Sequence, residues 1–286
     1  MRSIGCITHG LATTWALTLA TFALPAFAAD KYALVAAMGD QFTAASETRG
    51  TGSHLPNYAK RSLDVKEEGI NKLALASLDM AVRRMHPDSE RIYLVVPLSK
   101  DLQLRVRSIE ENAFETAVQA LRARPDRGQW QRIVLVTPAN RVQKQETGGL
   151  APDTQGMGVF TQGLCQSDIR DCDKRRSVTS GVQVTTPKGE TIKSDRYVAP
   201  YFFAKIWILD PQSLQVLDSE AVMDHTKYND PDSDAMDQNQ VLDRNFLLTK
   251  IVEQVQASTS IAVARTELRG KVEVNEKGEV RPAPPR

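Results

Sequence analysis

The sequence predicts an α/β fold in which a mixed sheet carries two αβ units, a central hairpin and a long C-terminal helix. An apolar, aromatic-rich run covers residues 196–223, and within 198–209 both alternating sets of residues are apolar except for Lys205. This pattern indicates a strand that is covered on both faces. A second observation is a repeated strand motif, RIYLVVP at 91–97 and RIVLVTP at 132–138, identical at five of seven positions. A third is a helical apolar pattern near the C-terminus, formed by Val241, Leu248, Ile251, Val252, Val255 and Ala262.

The central hairpin is the core of the prediction. Pro200 cannot donate to a strand ladder, so we expect the first strand to begin at Tyr201. The segment 210–213, Asp-Pro-Gln-Ser, predicts the turn, and Leu214 would begin the returning strand. Trp207 is then either a core residue or, if the strand lies at an edge, a contact for a partner.

The repeat predicts two helices and three strands before the hairpin. A first strand over 31–38 ends at Gly39-Asp40, and a helix then runs to His86, before Pro87. The second helix would begin with a capping box formed by Ser108 and Glu111. Its apolar stripe consists of Ile109, Ala113, Ala117, Ala120 and Leu121. Two αβ units in series imply parallel strands with right-handed crossovers, although chance similarity between buried strands is the alternative.

The remaining segments are polar. We expect a single domain over 29–270, with a loop-rich insertion at about 139–195 that contains a small exposed hairpin at 181–194. The acidic stretch 229–240 should lead into the last helix, capped near Ser233 or Asp237. Residues 271–286 lack a core pattern and are expected to be a mobile tail.

Residues 1–28 have the features of a bacterial secretory signal peptide. Arg2 precedes an apolar stretch, and Ala26-Phe27-Ala28 fits the cleavage pattern. We therefore expect a periplasmic protein without a stable membrane span, the alternative being a retained anchor. The chain contains 36 Lys and Arg against 35 Asp and Glu. This balance does not favour binding of nucleic acid.

Cys165 and Cys172 are the two cysteines that remain after the leader. An even pair in an oxidising compartment predicts a disulfide, worth roughly 2.5 kcal/mol for so short a loop. A redox motif would have two intervening residues rather than six, and a zinc site would need further ligands nearby.

The expected site follows from the parallel strands, because ligands bind beyond the carboxyl ends of strands in open α/β sheets. The segments 39–56 and 138–164 are long, polar and expected to be loops at one edge. They supply the candidate ligand-binding residues Asp40, His54, Arg141 and Lys144. The alternative is that these loops have no binding role.

Several motifs point to no cofactor and no metal. Gly39-Asp40 resembles the first block of SGNH hydrolases, but Gln41 replaces the nucleophile. Asp230, Asp232 and Asp234 resemble the front of a calcium loop, yet the glycine and glutamate that such a loop requires are missing. A solvated loop that leads into a helix is therefore favoured, and a loose cation site is the alternative. We find no phosphate-binding glycine motif and no local catalytic triad.

The order of elements resembles periplasmic α/β domains of the type found in the TolB amino-terminal domain and the curli-secretion lipoproteins. The early strand 32–38 and the late segment IWILDPQSLQVL at 206–217 carry the resemblance. In that group the turn commonly holds Thr-Gly, where this chain has Ser213-Leu214. The resemblance implies envelope accessory or assembly work rather than catalysis, as for an exported proteobacterial protein.

Two functions remain as hypotheses. The first is a non-catalytic periplasmic protein that binds an envelope protein partner or a small ligand. The second is a periplasmic hydrolase with a site on the loops after strands one and three, for which Asp40, His54 or His225 could act. A cluster of polar side chains at the strand ends would favour a ligand site, and an exposed apolar patch would favour a protein partner.

Overall fold

A computed structural model describes residues 30–47, 58–144, 150–162, 181–194, 196–233, 242–269, 272–274 and 280–282. The strands are β1 (Lys31–Ala36), β2 (Gln41–Glu47), β3 (Tyr58–Asp64), β4 (Glu90–Val95), β5 (Arg132–Pro138), β6 (Asn140–Lys144), β7 (Leu150–Gln162), β8 (Val182–Thr185), β9 (Thr191–Ser194), β10 (Tyr197–Leu209), β11 (Val216–His225), β12 (Val272–Val274) and β13 (Val280–Pro282). The helices are α1 (Gly69–Met85), α2 (Lys100–Gln103), α3 (Ile109–Arg122) and α4 (Arg244–Arg265).

Nine of the thirteen described strands form one mixed sheet, which confirms the predicted α/β class, and β8-β9 and β12-β13 form two-stranded sheets. The path is β3-β2-β7-β10-β5-β1-β4, with β11 paired to β10 and β6 paired to β7. Strands β4 and β5 both run parallel to β1 and flank it. Tyr32 of β1 lies opposite Arg91 on one side and Arg132 on the other. The two copies of the repeated motif therefore hold the same register against β1, which confirms the parallel αβ units.

Strand β10 joins two halves of the sheet. Its residues 204–209 pair with β5, whereas residues 197–203 pair with β7 on the same side. We call β5, β1 and β4 the lower half, and β7, β2 and β3 the upper half. The chain leaves β5 at Ala139 and forms the β6–β7 hairpin. The second strand of this hairpin, β7, comes back to β10 and takes the position beside it that β5 occupies in the lower half.

Strand β10 is buried along almost its whole length, as predicted. The prediction that it begins at Tyr201 is wrong, because Pro200 lies within the strand opposite Val159. The carbonyl of Pro200 accepts from Thr226 at 3.3 Å, just beyond the end of β11. The nitrogen of Pro200 therefore lies on the β11 side of the strand, where the pairing with β11 has already ended. The absence of an N–H on Pro200 thus removes no hydrogen bond between β10 and β11.

Two cores lie on opposite faces of the lower half. One face packs against α1 and α4 and includes Leu34, Leu78, Val136 and Val255, all buried. The other packs against α3 and includes Ala117, Leu121, Ile133 and Leu135. Trp207 is half-buried on this second face, where its Nε1 donates to Thr137 Oγ1 at 2.9 Å and its ring lies 4.5 Å from that of Phe114.

The predicted loops 39–56 and 138–164 are largely strands in their described parts. Residues 41–47 form β2, and residues 140–144 and 150–162 form β6 and β7. The predicted hairpin at 181–194 is confirmed as β8 and β9, but Val184 is buried against the upper half rather than exposed. In the tail, β12 and β13 pair with each other. The domain limits 29–270 remain a prediction.

The helix boundaries also differ from expectation. Ser108 precedes α3, but its side chain makes no capping hydrogen bond and instead accepts from Asn112 Nδ2 at 2.9 Å. Helix α4 begins after Asp243, whose carboxylate accepts from the backbone N–H of Phe246, and not near Ser233 or Asp237. Leu214 packs into a core from a left-handed turn, so the returning strand begins at Val216.

Among the residues that the structure describes, no helix is both long and apolar enough to cross a membrane.

Candidate functional site

The turn that follows β1 lies where the lower half of the sheet gives way to the upper half. Gly39 takes a left-handed conformation with φ of +77°. A Cβ there would lie 2.3 Å from Oε1 of Gln103, so a side chain at this position would displace the amide of Gln103 and also strain the backbone. The next residue is Asp40, and β2 then starts at Gln41.

Gln103 holds this turn from the end of α2. Its Oε1 accepts from the backbone N–H groups of Asp40 at 3.0 Å and of Gln41 at 3.1 Å. Its Nε2 donates to the carbonyl of Leu98 at 2.8 Å. Gln103 is only 3% exposed, so these bonds are shielded from water and fix the turn.

Asn71 of α1 holds the same turn from another element. Its Oδ1 accepts from the N–H of Met38 at 2.8 Å, and its Nδ2 donates to the carbonyl of Gly39 at 3.2 Å. Asn71 is 2% exposed. Two buried amide side chains therefore satisfy four backbone groups of this turn, and the carbonyl of Asp40 accepts from the N–H of Val65, directly after β3, at 2.8 Å.

Gln155 of β7 brings the chain that follows β5 to the same place. Its Nε2 donates to the backbone carbonyl of Gln103. We call Asp40, Asn71, Gln103 and Gln155 the junction cluster. As expected from the parallel strands, chain segments that follow β1 and β5 meet here, although they are strands rather than loops.

Two oxygens of the junction cluster are buried without a hydrogen-bond donor among the described residues. They are Oδ1 of Asp40 and Oε1 of Gln155. If the side-chain O and N of Gln155 were exchanged, its oxygen would face the backbone carbonyl oxygen of Gln103, and two acceptors would meet. The orientation in which Nε2 donates to that carbonyl is therefore required. Each oxygen has lost its hydration and lacks a protein partner in the described chain.

An ion pair borders the junction cluster on the solvent side. Lys100 Nζ lies 2.5 Å from Oδ2 of Asp64. The other carboxylate oxygen of Asp64, Oδ1, accepts a hydrogen bond from Nε2 of Gln41. The hydrogen bonds from Lys100 and Gln41 lower the pKa of Asp64. The hydrogen bond to Asp64 raises the pKa of Lys100, and the negative charge of Asp40 adds to this effect. A positive charge therefore stands near the carboxylate of Asp40.

The other predicted site residues lie apart from the junction cluster or outside the described residues. Arg141 extends over the ring of Phe203, with its Cζ 5.8 Å from the ring centre, and donates to the carbonyl of Met223 at 3.1 Å. Lys144 is the last residue of β6, and the structure describes only its backbone. His54 lies outside the described residues, as do Cys165 and Cys172, so the disulfide remains a prediction.

The described histidines occupy different places. His225 is the last residue of β11. His86 follows α1, and its Nε2 lies 2.9 Å from the carbonyl oxygen of Leu268. Among the described residues, no group of three or more His, Cys, Asp and Glu side chains could hold a metal ion.

Sequence reasoning found Asp40 but missed Asn71, Gln103 and Gln155. Amide residues in a helix or a strand carry no periodic signal, and their contacts join distant parts of the chain. Gln103 lies 63 residues from Asp40, whose N–H it accepts from, and Gln155 lies 52 residues from Gln103, to which it donates. The sequence feature that could have indicated these partners is Gly39. A glycine followed by a polar residue after a buried strand predicts a turn, and the backbone groups of such a turn need hydrogen-bond partners from elsewhere.

Comparisons with known proteins give little. No family model matches the chain, and no curated protein matches it. Among solved structures, a protein described as a homolog of neuraminyllactose-binding hemagglutinin from Helicobacter pylori has 7% identity and a TM-score of 0.32, covering 84% of this chain and 85% of its own. A protein from Xanthomonas campestris of the DUF330 family has 9% identity and a TM-score of 0.31, covering 83% and 85%. Similarity at this level transfers neither fold nor role, and the resemblance to TolB and curli-secretion proteins stays a prediction.

Proposed function

We propose that the protein is an exported, non-catalytic binding protein of the bacterial envelope, and that its ligand site is the junction cluster. The observation that carries the proposal is the buried Oδ1 of Asp40, which has no donor in the described chain. A carboxylate oxygen that is removed from water without a donor lowers stability by about 1–3 kcal/mol or more. Such a cost is typical of residues retained for binding rather than for folding.

The rigidity of the surrounding residues supports this assignment. Gln103 and Asn71 hold the backbone on both sides of Asp40, and both are buried. A ligand that binds here meets a site that is already ordered, so little entropy is lost in arranging it. Beyond the strand ends is also where open α/β sheets bind their ligands.

The two unpaired oxygens define the chemistry of the ligand. Both Asp40 Oδ1 and Gln155 Oε1 are hydrogen-bond acceptors, so the ligand should present donors. A small molecule with an ammonium group or with neighbouring hydroxyl groups fits this requirement. The hydrogen-bond partners of the junction cluster are amides and backbone groups, and this arrangement supports binding without suggesting a reaction.

Export rests on residues 1–28, which lie outside the described residues. We propose cleavage after Ala28 and a periplasmic location. N-terminal sequencing of protein from a periplasmic extract should begin near Ala29. An intact leader on the periplasmic form would contradict this part of the proposal.

The binding proposal is tested by native mass spectrometry of protein isolated gently from the periplasm. We expect a bound small molecule in the wild type, and its loss in Asp40→Asn, because an amide replaces one acceptor with a donor. Asp64→Asn is the matched control, since it removes a neighbouring exposed carboxylate and should retain the adduct. The proposal fails if no adduct forms, or if Asp40→Asn binds it as well as the wild type.

A further inference from the structure

Strand β4 forms the outer edge of the lower half. Within the described chain it pairs only with β1. The N–H of Glu90 donates to the carbonyl of Asp30 at 2.8 Å, and that of Val96 donates to the carbonyl of Ala36 at 2.9 Å. Even-numbered residues of β4 thus face β1. The backbone groups of Arg91, Tyr93 and Val95 consequently point outward, away from the sheet.

Two other edge strands, β11 and β3, carry side chains that discourage strand pairing. On β11, the carboxylate of Asp218 accepts from the N–H of Ser219 at 2.7 Å, and Arg141 donates to the carbonyl of Met223. Strand β3 carries the charged sequence KRSLD over 60–64. Charges and local caps of this kind are the usual protection of an edge strand.

The middle of β4 has no such protection. The segment Ile-Tyr-Leu-Val at 92–95 is uncharged, and Tyr93 is 50% exposed, while the other three are half-buried. Arg91 is the nearest cation, and its Nε lies 2.9 Å from Asp79 of the same chain. A strand added to this edge would therefore cover apolar side chains without burying an unpaired charge from Arg91.

We propose that β4 pairs antiparallel with β4 of a second copy of this chain, around a two-fold axis at Tyr93. In this register Tyr93 lies opposite its own copy, and Arg91 lies opposite Val95 of the second copy. The three outward residues of each strand then exchange hydrogen bonds across the axis. On the other face of the sheet, Ile92 packs beside Leu94 of the second copy, so the apolar residues cover one another.

The charge pattern of the strand is compatible with a second copy. In this register Arg91 lies opposite Val95 and Glu90 opposite Val96 of the second copy, so the two-fold axis brings no like charges together. The same register sets Ser89 opposite Pro97. The N–H of Ser89 already donates to the carbonyl of His86 at 3.2 Å, and Pro97 has no N–H, so the shared ladder ends at this pair. A strand that can lie opposite its own copy in this way is what an isologous two-fold interface requires.

The test uses a charge swap at Tyr93 in the exported full-length protein. Tyr93→Lys and Tyr93→Glu each place like charges opposite each other, which should weaken dimerisation at least about 100-fold. An equal mixture of the two variants should form a heterodimer, which a merely misfolded variant could not do. Sedimentation equilibrium over a range of concentrations gives the mass in each case.

A second variant addresses the backbone directly. Val95→Pro removes one outward N–H but no bond to β1, so the monomer should keep its circular dichroism spectrum while the dimer is lost. Leu104→Ser removes another exposed apolar side chain and should leave the dimer intact. The proposal is overturned if the wild type stays monomeric at the highest concentration, if Val95→Pro still dimerises, or if the two Tyr93 variants do not associate when mixed.

Discussion

The lower and upper halves of the sheet share one long strand but differ in what holds them together. In the lower half, β1 and β5 are buried at nearly every residue, and helices cover both faces. In the upper half, β2 has the sequence QFTAASE, and β3 is exposed after its first residue. The lower half is thus a layered α/β core, whereas the upper half depends on strand pairing and on a smaller aromatic cluster.

This difference explains which parts of the fold could be predicted. The motifs RIYLVVP and RIVLVTP are continuous apolar runs, and such runs indicate parallel strands without any knowledge of their partners. The second motif is the buried strand β5, whereas the first is β4, which lies at the edge and is only partly buried. Strand β2 has no such run, and it pairs with β7, more than a hundred residues further along the chain. Its small and polar residues suit a strand only because those partners are present.

The candidate site shows the same division. Asp40 could be predicted because it follows a buried strand and a glycine, both visible in the sequence. Gln103 and Gln155 could not, since their roles depend on where α2 and β7 lie in space. The predicted Arg141 lies in β6, with its guanidinium over the ring of Phe203 in β10 and apart from the junction cluster.

The largest effect should come from filling the closest approach in the upper half. A Cβ on Gly158 would lie 2.1 Å from the carbonyl oxygen of Thr43 and 2.3 Å from Oη of Tyr201. Gly158→Ala should cost about 3 kcal/mol or more in the free energy of unfolding, because backbone atoms must move. Gly128→Ala is the control, since nothing lies within 4 Å there. Equal urea midpoints for both variants would show that β2 and β7 are not packed as described.

Removing Trp207 tests the lower half. Trp207→Ala loses the hydrogen bond to Thr137 and the contact with Phe114, and it should cost about 3 kcal/mol. Trp207→Phe keeps a ring and loses mainly the hydrogen bond, so about 1 kcal/mol is expected. A melting curve for Trp207→Ala close to that of the wild type would mean that this face of β10 is a contact surface instead of core.

Two helix starts give a smaller contrast. Asp243→Ala removes the capping bond to Phe246 and should cost about 1 kcal/mol in chemical denaturation. Ser108→Ala should cost clearly less, because Ser108 does not cap α3. A larger loss for Ser108→Ala than for Asp243→Ala would restore the capping box that the sequence predicted.

The smallest effect concerns the turn after β10. Hydrogen bonds from the backbone N–H and the hydroxyl of Ser213 lower the pKa of Asp210. Because the folded-state pKa is the lower one, the stabilisation is present above about pH 4 and is lost as the pH falls through the folded-state pKa. Between pH 5 and pH 2 the wild type should therefore lose slightly more stability than Asp210→Asn. Identical pH dependence of the two unfolding midpoints would contradict this.

The stability of Asp40→Asn tests the central claim most directly, namely that the junction cluster retains an unpaired acceptor for a ligand. In protein freed of ligand, replacing the carboxylate with a neutral amide should raise the free energy of unfolding by about 1 kcal/mol, because an amide costs less to bury than a charge. Asp64→Asn, which breaks an exposed ion pair, should show no such gain. Urea denaturation of the three proteins at pH 7 measures this. A stability of Asp40→Asn clearly below that of the wild type would show that the carboxylate serves folding, and would contradict the account.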